Sequence, residues 1–139
     1  MTAGGAGQGD DARECLLVEP DELLYRQVHP GFVDDGIPSA QAFTPTKKDG
    51  GKLSIARGKL TTAECAYTHH TSVLQLKSAG SWGTTVAEAS GSELYAFGEP
   101  IIGSPAHGFI DFRDLGRGTA EKKAKLLLAH ANVRGRLHP

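Results

Sequence analysis

Between Leu23 and Gly58, LLYRQVHPGFVDDGIPSAQAFTPTKKDGGKLSIARG, short apolar runs alternate with Arg26, Gln27, His29, Ser39, Gln41, Lys47, Lys48, Asp49 and Ser54. Hydrogen-bonding side chains at this density, set beside strands and turns, point to a polar site. Arg26 and His29 stand at the end of a predicted strand. A guanidinium offers a planar fork for phosphate or carboxylate, and an imidazole titrates near neutral pH. Facing one pocket, the two would hold an anion and move a proton. The plainer alternative pairs Arg26 with an N-terminal acid and leaves His29 to precede a turn. Ser39, Gln41 and Ser54 add hydroxyl and amide groups, with Pro38 and Pro45 to stiffen their loops. Such groups also serve turns, where they satisfy nearby backbone.

Tyr67-Thr68-His69-His70 follows on a predicted helix. Adjacent helical histidines point about 100° apart and do not readily share one metal. Helical zinc pairs are spaced by three or four residues, and a closed structural site needs four ligands. Cys65 and His69 have the pair spacing without the other ligands, so no metal is expected. His69 serves as a general base only if a substrate group reaches it. Gly116-Arg117-Gly118-Thr119 leads into a second helix. Its amides, with Arg117 and Thr119, make a weak candidate anion site, set against a plain turn with Thr119 as N-cap. The P-loop spacing is absent, as are G-x-S-x-G, H-E-x-x-H, C-x-x-C, EF-hand and G-x-G-x-x-G patterns. That excludes the easily recognised forms of several enzyme classes, and no cofactor is expected. An enzyme with scattered residues is left open.

These groups depend on the elements that carry them. Residues 1–14, Gly-rich and then acidic, read as a flexible leader; 15–139 read as a single domain. Cys15–Val18, Leu23–Val28, Ser39–Phe43, Lys52–Ile55 and His107–Phe112 are predicted strands, as is the alternation Trp82, Thr84, Val86. Leu94–Phe97 and Pro100–Ile102 are apolar pieces of open type. Thr61 and Glu64 have the spacing of a capping box, which starts a helix running to about Leu74. The second helix spans Ala120–Val133, with Ala120, Ala124, Leu127, Leu128 and Ala131 as a buried stripe and Lys122, Lys123 and Lys125 mostly elsewhere. The order predicts an α+β fold, a small mixed or antiparallel sheet packed against two main helices.

At 139 residues the chain fits one domain, and its 39% hydrophobic content with 18 glycines allows a modest core. No apolar run approaches the ~18 residues of a membrane span, and no signal-peptide pattern opens the chain. With only two cysteines, a cytoplasmic protein with reduced thiols and no membrane partner is expected. The net charge of −1 hides a gradient. Residues 1–35 hold eight acids against Arg13 and Arg26, whereas residues 113–139 hold seven Lys or Arg against Asp114 and Glu121. The basic end either binds nucleic acid or an acidic partner, or complements the acidic end within the fold. The pI near 6.6 and the lack of interleaved aromatics favour complementarity.

LYRQVHP (24–30), SAQAFTP (39–45) and KLSIARG (52–58) resemble segments of small uncharacterised bacterial proteins, with a similar order through HGFIDF and the Lys-rich last helix. This resemblance spans Leu23 to Leu137 and implies a role for no residue. A fainter likeness is to small NAD-cleaving and ADP-ribosyl-transferring toxins, which place an Arg, then a Ser or Tyr strand, then a Glu. Arg26, Ser54 and Glu64 follow that order. The leading expectation is a small cytoplasmic binding or accessory protein. Its polar pocket lies around residues 26–70, with Arg26, His29, Gln41, Ser54 and His69 as candidates for an unidentified protein or small-molecule ligand. The alternatives are an enzyme acting on a nucleotide or phosphate-bearing substrate, including NAD-linked ADP-ribosyl transfer or glycohydrolysis, and nucleic-acid binding through the basic C-terminal helix.

Overall fold

A computed structural model describes residues 14–139; residues 1–13 of the expected leader lie outside the described residues. Glu14, assigned by sequence to that leader, is instead anchored by Arg113 at 3.0 Å and Lys52 at 3.2 Å. The strands are β1 (Cys15–Leu16), β2 (Leu23–Val28), β3 (Val33–Asp34), β4 (Ile37–Pro38), β5 (Lys52–Arg57), β6 (Gly80–Thr85), β7 (Tyr95–Gly98) and β8 (His107–Asp111). Among the described residues three α-helices accompany them: α1 (Ala63–Thr68), α2 (Val86–Gly91) and α3 (Arg117–Arg134). Six strands form one sheet in the order β1-β7-β8-β5-β2-β6, while β3 and β4 pair separately. Every pairing is antiparallel, so the α+β expectation holds.

Alternation decides the faces. Leu24 and Val28 of β2, Leu53 and Ile55 of β5, Ala96 of β7 and Ile110 of β8 are buried in one core with Ala124, Leu127 and Ala131 of α3. The predicted stripe of α3 is thus the face that meets the sheet, with Ala120 and Leu128 packed at its margin. α3 begins earlier than the sequence indicates. Gly116 is its N-cap, no side chain caps it, and Gly118 and Thr119 lie within its first turn. Thr119 is therefore not the cap.

Two further differences bear on the site. Ser39–Phe43 is no strand: Ala40–Phe43 forms a 3-10 turn that buries Ala42 and Phe43 against α3. Thr62, not Thr61, caps α1, its hydroxyl accepting from the Cys65 N–H at 3.1 Å. The shift of one residue leaves Glu64 exposed and outside any capping box.

Candidate functional site

β2 and β5 pair only at Leu24–Arg57 and Tyr25–Ala56, although β2 pairs with β6 along its whole length. Past Tyr25 the ladder opens, and the side chain of Arg26 bridges the opening. Its Nε donates to the Ala42 carbonyl and its Nη1 to the Ser54 carbonyl, both at 2.9 Å. A guanidinium carries five N–H donors, so three have no protein acceptor among the described residues. No carboxylate there lies within ion-pair distance of it. Burial pushes its pKa down to about 10, a shift that Asp49 opposes. Arg26 therefore stays cationic at neutral pH, without a bound counter-charge.

Arg26 forms part of the floor of a recess of about 600 Å³, within the size range of small-molecule sites. Ser54 and Ala56 of β5 continue the floor; Cys65, His69 and His70 stand on one wall and Ser104–His107 on the other. The wall bearing the histidines is shaped by a change of helix type. After Thr68 the chain widens into a π-helical turn, His69–Val73, in which the Leu74 N–H donates to the His69 carbonyl at 3.0 Å. Both adjacent histidines border this one recess. Burial lowers the pKa of His70, the charges of Arg26 and His69 lower it further, and a backbone bond at Lys77 opposes both. Gln27 has a supporting role. Its amide donates to Ser81 Oγ at 2.6 Å and accepts from Ser78 Oγ at 2.9 Å, while Ser81 Oγ donates to the Ala63 carbonyl and holds α1 on the sheet.

A second polar group comes from β8. The register Ala56–His107 and Ser54–Phe109 brings His107 diagonally beside Ser54. His107 Nε2 lies 3.4 Å from Ser54 Oγ, and its Nδ1 lies 3.0 Å from the Glu99 carbonyl and 3.6 Å from the Glu99 carboxylate. Lys52 Nζ holds that carboxylate at 2.9 Å.

Of the candidates read from sequence, Arg26, Ser54 and His69 converge on the recess; His29 and Gln41 do not. His29 is exposed and accepts the Gly31 N–H on Nδ1 at 2.9 Å, which makes it a cap for the turn Pro30–Phe32. Gln41 is exposed on its 3-10 turn and does not line the recess. Arg117 and Thr119 are exposed in the first turn of α3, and Glu64 is not part of the recess. His70 and His107 were missed. Adjacent histidines looked divergent, and the partner of His107 depends on a strand register that no local pattern states.

Among the described residues no three His, Cys, Asp or Glu side chains gather as a metal site, and no helix is long and apolar enough to cross a membrane. A second hollow is lined by Glu19, Asp21 and Glu22, of which Glu22 is matched by Arg57 at 2.9 Å and Glu19 by Lys59 at 2.8 Å. No family model matches the chain, and neither the curated proteins nor the solved structures give a match.

Proposed function

We propose that this is a small cytoplasmic binding protein whose recess takes a ligand with an anionic head, a carboxylate in particular, on an apolar body. The observation that carries this reading is Arg26, a half-buried cation that lines the recess, with no carboxylate within ion-pair distance among the described residues and three donors without a protein acceptor there. An isolated buried charge is costly, and a ligand anion supplies what the fold leaves out. The apolar part of the reading is supported by Leu60, Leu74, Leu76 and Ile101, large exposed side chains that border the same opening. The compartment is proposed from two exposed, unpaired thiols, Cys15 and Cys65.

The test is isothermal titration with octanoate against octanol. They share a chain length and differ in the head group that Arg26 would meet. A charge-assisted bond contributes about 1.5–3 kcal/mol, so octanoate is expected to bind at least about tenfold more tightly. Equal affinity for the two, or no binding of either, would overturn the reading.

Nucleic-acid binding through the basic end has less support. Arg113 is engaged by Glu14 and Asp111, Arg134 by Glu88, and Lys123 by the Glu93 carbonyl. Arg117, Lys122, Lys125 and Arg136 are left without a carboxylate partner among the described residues, and the reading rests on these four charges.

A further inference from the structure

We propose that Ser54 and His107, with Glu99 positioning the histidine, form an acyl-transfer centre, and that the recess holds the acyl chain of a small ester. This deepens the carboxylate reading, because the carboxylate that Arg26 receives is then the product of the reaction.

The tautomer of His107 is the first support. Its Nδ1 faces the Glu99 carbonyl at 3.0 Å, and a carbonyl oxygen only accepts, so Nδ1 carries the proton. The Nε2 lone pair is left facing Ser54 Oγ at 3.4 Å, the arrangement a general base needs. That distance is long for a hydrogen bond. Serine–base contacts are commonly loose before substrate arrives. The Glu99 carboxylate, 3.6 Å from Nδ1 and held from its other oxygen by Lys52, stabilises the imidazolium once it forms. This division of roles is that of a Ser-His-acid triad, which is recognised by geometry and not by sequence order.

Arg26 supplies the remaining part. Its Nη1 already donates to the carbonyl of Ser54 itself, so the guanidinium sits beside the attacking residue. The bond is to the backbone oxygen of Ser54 and not to its Oγ, so Arg26 contributes its positive charge to the field in which the ester carbonyl turns tetrahedral.

The step balances without any outside oxidant or cofactor. Ser54 Oγ bonds to the ester carbonyl carbon while its proton passes to His107 Nε2. The carbon–oxygen bond to the alcohol then breaks, and the alcohol leaves with that proton. Water attacks the acyl-serine and gives a proton to Nε2; Oγ departs and recovers it. One ester and one water become one carboxylic acid and one alcohol, and the acid ionises beside Arg26.

Two measurements on the full chain test this. A fluorophosphonate probe is expected to modify Ser54, located by peptide mass spectrometry. Hydrolysis of p-nitrophenyl butyrate is expected to fall by about 100-fold or more in Ser54→Ala and in His107→Gln, with melting curves confirming that both variants fold. Glu99→Gln is expected to move the acidic limb of the pH–rate profile to lower pH, a shift that loose packing alone does not produce. Absence of both labelling and hydrolysis, or hydrolysis that survives Ser54→Ala, overturns the proposal. Octanoate binding to Ser54→Ala separates the two ideas. Binding without turnover in the wild type removes only the esterase, and turnover through Ser54 without octanoate binding removes only the carboxylate site.

Discussion

A guanidinium drawn out of water keeps its charge only while something answers it, and two backbone carbonyls answer Arg26 in part. His70 feels the remainder. Its pKa is held below the ordinary 6.5 by burial first, against a backbone hydrogen bond at Lys77, and the positive charge of Arg26 adds to the depression. An anion seated at Arg26 favours the imidazolium and raises that pKa, so binding takes up protons. The sign follows directly. Affinity for octanoate should rise as pH falls from 8 to 6, and the slope should flatten in His70→Gln. Titrations in buffers of different ionisation enthalpy read the proton uptake, and an affinity independent of pH would rule the coupling out. Arg26 and Ser54 were legible in the sequence because their chemistry is intrinsic to their side chains. His107 was not, since its meaning lies in facing Ser54 across a β5–β8 register.

At the scale of elements, the sequence carries one capping pattern twice, Thr61-x-x-Glu64 and Thr85-x-x-Glu88, and the fold uses it only the second time. Thr85 accepts the Glu88 N–H at 3.1 Å while the Glu88 carboxylate accepts the Thr85 N–H at 2.9 Å, starting α2. The alternation of Trp82, Thr84 and Val86 hid this helix. β6 is buried on both faces, with α1 and α3 packed against it, so alternation there says little about where the strand ends. α3 was legible because eighteen residues repeat one stripe; six residues of α2 cannot. Glu88 also receives Arg134 through two bonds of 2.9 Å, tying α2 to the end of α3. Those bonds to Arg134 come first in holding its pKa below the ordinary 4.5, against the pull of burial. A depressed carboxylate pKa stabilises the fold above the unfolded value and loses that effect as pH falls through the folded one. Glu88→Gln should therefore lower stability by about 1–3 kcal/mol at pH 7 in this partly screened site. The gap from wild type should close below about pH 4.5. Urea unfolding at the two pH values checks it, and a gap that persists in acid would assign the loss to packing instead.

Over the whole molecule, the charge gradient predicts complementarity between the ends, and among the described residues one contact has that form: Glu14 meets Arg113. Other acids near the start find partners in mid-chain, Glu22 with Arg57 and Glu19 with Lys59, which composition by thirds cannot distinguish. What the sequence concealed entirely is the closure of the sheet. β6 ends the strand order, and its outer edge is covered by the C-terminal segment. Ser81 donates to the His138 carbonyl at 2.7 Å, and Leu137 donates to the Ser81 carbonyl at 2.8 Å. Glycine makes the approach possible. A Cβ at Gly80, where φ is +149°, would lie 2.6 Å from Arg136 Cδ and 2.7 Å from the His138 carbonyl, and one at Gly83 would lie 3.0 Å from Leu137 Cδ1. An uncovered edge strand presents unpaired backbone groups to other chains. Deleting residues 136–139 removes both bonds and the Leu137 contact, a loss of about 2–4 kcal/mol, or roughly 10 °C in Tm. The truncated protein should also associate as its concentration rises, which sedimentation velocity detects. His138 packs against Tyr67 of α1 at 5.1 Å between ring centroids, so the same deletion loosens the helix that leads into His69 and His70 and should weaken octanoate binding. A truncated protein that melts unchanged and stays monomeric would show that β6 needs no cover.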